Sequence, residues 1–140
     1  MNDFTLHPQL AADCHVVADL GLCRVLLLDD SRFPWLVLVP RRADIREVYQ
    51  LPLPEQRQLW EEVTALGAAL MAATGGFKLN IGALGNLVPQ LHVHVIVRSE
   101  SDAAWPGPVW GVGTRIPYAA EDLPEELVRM RMLVAELFLP

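Results

Sequence analysis

Hydrophobic and polar positions along this chain change their period several times, and each period predicts a type of element. Two short aliphatic runs, 14–19 and 23–29, are separated by a turn-like Leu-Gly pair, which predicts a β-hairpin. Residues 35–39 form a third aliphatic run between two prolines, and its length and β-branched content favour a strand covered on both faces. Because these strands follow one another closely, we predict an antiparallel meander.

Helical spacing appears in two later segments. A short linker with some helical character, residues 44–51, leads to Pro54, whose position predicts the first turn of the longest helix. Glu61 and Glu62 are predicted to point away from the apolar stripe of this helix. A second stripe predicts a closing helix over residues 124–138. The two stripes consist of Leu59, Val63, Leu66, Leu70 and Ala73, and of Leu127, Met130, Val134 and Leu137.

The segment between these helices predicts two more strands. Two consecutive glycines end the long helix, and residues 77–81 then alternate apolar and polar side chains, with Asn80 on the polar face. Residues 82–89 are predicted to form a glycine-containing loop and residues 90–98 the last strand. We therefore predict a single domain over residues 1–140, of α+β class, with an antiparallel sheet of about five strands and two main helices.

The last strand carries the most informative pattern. Because side chains alternate between the faces of a strand, its aliphatic residues share one face, which must be directed to the core. The other face then carries two histidines whose Cα atoms are about 6.6 Å apart, together with an amide and a guanidinium. The core-facing residues are Leu91, Val93, Val95 and Val97, and the opposite face carries Gln90, His92, His94, Ile96 and Arg98.

Three interpretations of the two histidines differ in chemistry. Lone histidines on such a face are usually solvated, but two at this spacing with polar neighbours favour a function. A zinc site would need a third ligand, from His7, His15 or a carboxylate, and we expect neither a metal nor a cofactor. A neutral imidazole can instead attack phosphorus while a neighbouring histidine holds the proton for the leaving group. Donors to the phosphate would come from Asn80, Asn86, Gln90 and the amides of the preceding loop.

A resemblance to a known family rests on residues 85–98. They read GNLVPQLHVHVIVR and resemble the motif of the histidine triad (HIT) superfamily, in which histidines alternate with apolar residues. The resemblance extends from the first hairpin through Arg98. It implies a HIT-like meander sheet, a homodimer joined across the Asn80 region and its helix, and hydrolysis or transfer of nucleoside monophosphates through a nucleotidyl-histidine intermediate. The segment looks like a bacterial-type, dinucleoside polyphosphate hydrolase-like subgroup with a Gln-x-His-x-His core.

The resemblance assigns roles to individual positions. His92 matches the central histidine of the motif, which is the nucleophile, and His94 matches the last one, which contacts phosphate near the leaving group. Asn80 matches an amide on the phosphate side. Asp29 or Asp30 stands near the position that contacts the ribose.

The sequence departs from the family pattern at three positions. Gln90 stands where the motif has its first histidine, Trp35 where a further histidine begins a strand, and Leu87 where a hydroxyl residue often contacts phosphate. The resemblance implies that the central ring is oriented by the main-chain carbonyl of the first position, which a glutamine still supplies. We therefore expect His92 to act as a nucleophile. A module that binds nucleotides with little or no turnover is the alternative that these departures leave open.

Two further features allow more than one interpretation. Arg98 either contacts phosphate or is an ordinary solvated residue at the end of a strand. The segment containing Trp105 and Trp110 forms a lid over the pocket, packs across a dimer interface or tucks onto the core as a surface loop.

Composition and charge narrow the partners. A net charge of −6 argues against a protein that binds duplex nucleic acid, which needs a basic face, but allows a pocket for a small anionic ligand. No apolar run approaches the ~20 residues that cross a bilayer, and the first residues do not resemble a secretory signal, so we expect no membrane partner and a cytoplasmic location. Cys14 and Cys23 are then expected to be reduced core residues. A nucleotide is the expected substrate.

Overall fold

The computed structural model describes residues 3–138, so the ends of the predicted domain at 1 and 140 lie outside the described residues. The strands are β1 Cys14–Asp19, β2 Cys23–Leu28, β3 Trp35–Pro40, β4 Lys78–Gly82 and β5 Val93–Arg98. They form one antiparallel sheet in the order β1-β2-β3-β5-β4, which confirms the predicted α+β class and meander. The helices are α1 Pro8–Asp13, α2 Leu53–Thr74 and α3 Leu123–Phe138, with a 3-10 turn at Val48–Gln50.

Two elements differ from the prediction. β5 begins at Val93 rather than at residue 90, because the chain before it leaves the sheet and the main-chain N–H of Leu91 donates to the carbonyl of Ile45 at 2.9 Å. The short helix α1 was not predicted. Its first turn is capped by His7, whose Nδ1 accepts from the N–H of Gln9 at 3.0 Å, an unusual cap without a strong sequence signal.

Both faces of the sheet are covered. One face packs against α2 and α3, and the four aliphatic residues of the last strand point into this core, as predicted. The opposite face packs against α1 and the segment 104–110 in a second cluster that includes Trp35. His92, His94 and Arg98 lie on this second face, but their exposed fractions are only 5%, 8% and 2%. The solvated interpretation of this face is therefore wrong, since the chain after β5 folds back over it.

The long helix α2 corrects the prediction at two positions. Four of its five stripe residues are buried, whereas Ala73 in the last turn is exposed. Glu62, predicted to point away from the core, is 4% exposed. Its two carboxylate oxygens accept the main-chain N–H groups of Leu22 and Cys23 at 3.0 and 2.9 Å. The turn between β1 and β2 directs these two donors toward the helix, and the carboxylate satisfies both.

The sheet has edges at β1 and β4. Helix α3 covers the first edge, where Arg131 donates to two main-chain oxygens of β1 at 3.1 Å each. Its predicted stripe is buried at Met130 and Val134, while Leu137 at the end of the helix is 41% exposed. β4 pairs on its inner side with β5 and, within residues 3–138, has no strand on its outer side.

Candidate active site

His92 lies one residue before β5, where the loop after β4 joins the sheet. Its Nδ1 is 2.7 Å from the main-chain oxygen of Gln90. Since a carbonyl oxygen can only accept, Nδ1 carries the proton and the lone pair of the neutral ring lies on Nε2. The main chain therefore makes the orienting contact that the resemblance implied, although the residue at that position is not histidine.

A cavity of about 300 Å³ opens beside this ring, and Gly85, Asn86 and Arg46 line it together with His92. Gly85 has a φ of 54°, and a methyl group added there would lie 3.5 Å from Cε1 of His92 and 3.2 Å from the main-chain oxygen of Val88. Glycine suits both the left-handed backbone and the close approach of the loop to the ring. Two predicted phosphate donors, Asn86 and the loop itself, thus border the same space as His92, the predicted nucleophile.

His94 is held by aromatic groups. Its Nδ1 accepts a hydrogen bond from the indole N–H of Trp35 at 2.9 Å, so the proton of the neutral ring lies on Nε2. The rings of His92, Trp35 and Trp110 meet it edge to face, with centroids 5.0, 5.6 and 5.4 Å away. Burial and, to a smaller extent, His92 lower the pKa of His94 to about 4. A pKa of about 4 leaves the ring neutral at pH 7, with its single proton on Nε2, and the part of His94 in departure of the leaving group stays a prediction.

Arg98, at the end of β5, is a buried cation with internal partners. Its Nε and Nη2 donate to the carboxylate of Asp102 at 2.8 and 3.0 Å, and its Nη1 donates to Oδ1 of Asn80 at 2.8 Å. The guanidinium carbon lies 5.8 and 5.6 Å from the ring centroids of Phe33 and Trp105. The interpretation of Arg98 as a solvated residue is therefore wrong. Its guanidinium bonds to side chains inside the protein rather than facing a site for phosphate. Arg98 instead orients Asn80, the neighbouring candidate donor.

The HIT domain family matches residues 9–101 of the chain. The chain belongs to the HIT family. A solved histidine triad protein from Marinobacter aquaeolei is 47% identical with a TM-score of 0.93, and the match covers 96% of this chain and 98% of that one. A HIT protein from Sinorhizobium meliloti is 48% identical with a TM-score of 0.90, over 94% of this chain and 98% of that one. The NitFhit protein of C. elegans is 19% identical with a TM-score of 0.66, and the match covers 85% of this chain and 27% of that one. This likeness shows the shared fold alone. No curated protein matches the chain.

Gln90, at the first position of the HIT motif, turns its side chain toward the N-terminal segment. Its Oε1 accepts from the main-chain N–H of His7 and its Nε2 donates to the main-chain oxygen of Thr5, both at 2.9 Å. The amide oxygen and one hydrogen of the amide nitrogen are thus used within the chain, while the residue also borders the His92 cavity, so its binding of phosphate stays a prediction. Gln90 contributes to the site through its carbonyl oxygen.

Asp29 and Asp30 stand near the HIT position that the resemblance connects with the ribose. Asp30 is 1% exposed, forms an ion pair with Arg32 at 2.8 Å and accepts the main-chain N–H of Ile116 at 3.3 Å. Asp29 accepts the N–H of Tyr118 at 3.0 Å. Both carboxylates therefore tie the chain after β5 to the end of β2. A second cavity of about 300 Å³ has a wall that includes Asp30, Arg32, Trp35, Trp110 and Arg115.

Sequence reasoning missed the part that tryptophans play in the site. Trp35 was identified only as a departure from the HIT pattern, because its contact with His94 depends on β3 lying next to β5. Packing onto the core describes Trp110, which lies against the second cluster, while the lid and the dimer interface stay predictions. Trp105 contacts Phe77 and Arg98, while Trp110 forms part of the wall around His94.

Neither a metal cluster nor a membrane span is found within residues 3–138. No three His, Cys, Asp or Glu side chains of this part of the chain are grouped to hold a metal ion. None of the described helices combines the length and the apolar character needed to cross a bilayer. The candidate site consists of imidazole, amide and main-chain groups.

Proposed function

We propose that this HIT protein is a nucleotide hydrolase or nucleotidyl transferase that acts at the α-phosphate of a nucleoside phosphate ester, anhydride or phosphoramidate. The contact of 2.7 Å between Nδ1 of His92 and the main-chain oxygen of Gln90 carries this proposal. It fixes the ring and leaves the Nε2 lone pair as the nucleophile. Membership of the HIT family supports nucleotide binding and hydrolase or transferase activity in general.

The proposed reaction has two displacements at phosphorus. Nε2 of His92 attacks the α-phosphorus, forming an N–P bond, while the bond to the leaving group breaks and the leaving group takes its electron pair. The Nδ1 proton stays hydrogen-bonded to the oxygen of Gln90, which stabilises the positive charge on the ring. Water then attacks phosphorus, the electron pair of the N–P bond returns to Nε2, and a proton of the water passes to solvent. The proposed donors to the phosphate oxygens are Asn80, Asn86, Nε2–H of His94 and the main chain around Gly85.

Turnover of two substrates tests this proposal. A fluorogenic adenosine phosphoramidate and a diadenosine polyphosphate are mixed with the wild type and with His92→Asn, and the nucleotidyl-enzyme is trapped in alkaline denaturant, where an N–P bond survives. We expect the wild type to release AMP from at least one substrate and to carry a nucleotidyl group. The variant should do neither while its Tm stays within about 3 °C of the wild type. His7→Asn is the matched control, since His7 lies outside the His92 cavity and asparagine also caps a helix.

Two outcomes would lead to other conclusions. Equal turnover by the wild type and His92→Asn would overturn the assignment of the nucleophile. Nucleotide binding without release of AMP from either substrate would identify the alternative, a HIT binding module, which the occupied side chain of Gln90 and the neutral His94 favour.

We also propose that the protein is a homodimer joined through β4 and α2. The support is the unpaired outer side of β4, a kind of edge that invites pairing with another chain, and the exposed apolar residues at its two ends, Phe77 at 60% and Leu84 at 44%. Sedimentation should give about 31 kDa, twice the 15.6 kDa of one chain. A species of one chain's mass at micromolar concentration would overturn this proposal.

A further inference from the structure

The hydrogen bond between Trp35 and His94 restricts the chemistry of His94. Trp35 begins β3, is 5% exposed, and places its indole Nε1 2.9 Å from Nδ1 of His94. An indole N–H donates and does not accept, so Nδ1 must present a lone pair and the proton of the neutral ring must lie on Nε2. If Nδ1 of His94 also carried a proton, its N–H would point at the indole N–H of Trp35, and two donors would meet without an acceptor. The contact therefore favours one tautomer and one charge state.

The other surroundings of His94 add nothing that would stabilise a positive charge on its ring. Among the described residues, no carboxylate forms an ion pair with it. The charge of Arg98 on the same strand is met by Asp102. The residues next to His94 are His92, which precedes β5, Trp35 and Val37 from β3, Gly82 from β4, and Trp110 from the segment after β5. Arg98 and Asn80 lie further along their strands, where they bond to each other. The low pKa of His94, about 4, agrees with this arrangement.

We infer that Trp35 holds His94 as a neutral Nε2–H donor, so that the site cleaves substrates whose leaving group departs as a stable anion and works poorly on those whose leaving group must be protonated. The inference deepens the proposed function and rests on it. Trp35 acts through His94 and is a positioning residue.

The leaving group decides whether a proton is needed. A phosphate or polyphosphate leaves with the electron pair of the P–O bond and is stable as an anion at neutral pH. An alkylamine must receive a proton as the P–N bond breaks, and a neutral imidazole N–H is too weak an acid to supply it. Nε2–H of His94 hydrogen-bonds to the departing oxygen without giving up its proton. The substrate class is therefore a phosphoric anhydride of a nucleotide, such as a dinucleoside polyphosphate, in preference to an alkyl phosphoramidate.

Nuclear magnetic resonance tests the state of His94 without reference to activity. Long-range ¹H–¹⁵N correlations of the imidazole rings distinguish the two tautomers and the cation. In the wild type we expect an unprotonated Nδ1 on His94 from about pH 5 to 8, and in Trp35→Phe either both tautomers or a ring that titrates within this range. Trp60→Phe removes a tryptophan from α2 that is 54% exposed, and it should leave the His94 signals unchanged. A cationic or Nδ1-protonated His94 in the wild type overturns the inference, and this measurement does not depend on the variant folding.

Kinetics with two leaving groups tests the selectivity. We expect kcat/KM of the wild type for a diadenosine polyphosphate to exceed that for an alkyl phosphoramidate of AMP by about 100-fold or more, the usual range for a missing general acid. Trp35→Phe should lower this ratio of the two kcat/KM values, whereas Trp60→Phe should leave it unchanged. Equal values for both substrates in the wild type would overturn the inference and leave the proposed function standing. If the wild type turns over neither substrate while His94 shows the expected tautomer, the proposed function and the selectivity are overturned. The positioning of His94 by Trp35 would still hold.

Discussion

His92 and Gln90 are joined by a hydrogen bond of 2.7 Å between the imidazole Nδ1 and a main-chain oxygen, while the side chain of the same glutamine binds the backbone of the N-terminal segment. Gln90 therefore orients His92, the proposed nucleophile, through its main-chain oxygen and holds the N-terminal segment through its side chain. Because the orienting atom belongs to the main chain, it does not depend on the identity of the side chain. This separation explains how a HIT protein can carry glutamine at the first position of the motif and keep its central histidine in place.

Substitution of Gln90 should affect the N-terminal segment more than the chemistry. We expect Gln90→His to keep kcat/KM within about tenfold of the wild type, because the carbonyl that fixes His92 is unchanged. The exchange protection of the amide of His7 should fall, since its acceptor is lost. Steady-state kinetics and hydrogen exchange measure the two effects. A gain in rate well beyond tenfold would show instead that an imidazole is required there for proton transfer.

Arg98 should contribute more to stability than a half-buried arginine of the same sheet. Arg98→Met leaves the buried carboxylate of Asp102 without its cationic partner, although the main-chain N–H groups of Ser99, Ala104 and Trp105 still donate to it. We expect a loss of about 3–5 kcal/mol in the free energy of unfolding. The control is Arg24→Met, whose pair with Asp19 has side chains 29% and 42% exposed and should cost less than about 1 kcal/mol. Urea unfolding followed by tryptophan fluorescence compares them. Similar losses in the two variants would show that burial does not set the strength of these pairs.

The same pair predicts a pH dependence of stability. The hydrogen bonds from Arg98 hold the pKa of Asp102 at about 2, below its ordinary 3.8. The unfolded chain therefore binds a proton before the folded one, and the stabilisation, about 2 kcal/mol, is present above pH 4 and lost as the pH falls toward 2. Asp102→Asn should be less stable than the wild type at pH 7, and this deficit should shrink below pH 4. If the difference in stability between Asp102→Asn and the wild type does not change with pH, the loss comes from packing alone.

The fold could be predicted because its signals are local and repeated. The alternation at residues 91–97 and the three-to-four spacing in α2 identified the core-facing side of each element, and both were confirmed. Neither signal contains information about what covers the opposite face of the sheet. That is why His94 and Arg98 were placed on the correct face while solvent exposure was kept as an alternative for both. Their burial depends on a segment without regular periodicity, 104–110, whose position is set by long-range contacts such as that of Trp110 with Trp35.

The site was predictable where the chemistry belongs to one strand and unpredictable where it depends on strand neighbours. His92 and its main-chain partner are two residues apart, so a resemblance over a short motif was enough to identify the contact. The partner of His94 is 59 residues away in sequence. Trp35 reaches it only because β3 lies beside β5, a pairing that no local pattern in the chain specifies.

Glu62 was wrongly predicted on the outside of α2, and substitutions test what its buried carboxylate contributes to stability. Its oxygens satisfy the main-chain donors of Leu22 and Cys23, so Glu62→Ala leaves two buried N–H groups without an acceptor. At about 1–3 kcal/mol for each of the two unsatisfied groups, we expect a loss of about 2–6 kcal/mol in the free energy of unfolding. Glu62→Gln keeps one acceptor oxygen and should lose less.

The matched control for this last prediction is Glu61→Ala, the exposed neighbour on the same helix, which should change the free energy by less than about 0.5 kcal/mol. Urea unfolding gives the three values, and hydrogen exchange at the amides of Leu22 and Cys23 shows whether the loss arises at the turn between β1 and β2. If Glu62→Ala destabilises the protein while these two amides keep their protection, the carboxylate acts through the packing of α2 and not as an acceptor for the turn. Faster exchange confined to the two amides and their neighbours would place the energy where the hydrogen bonds are, because a local loss of acceptors opens the turn before the rest of the sheet.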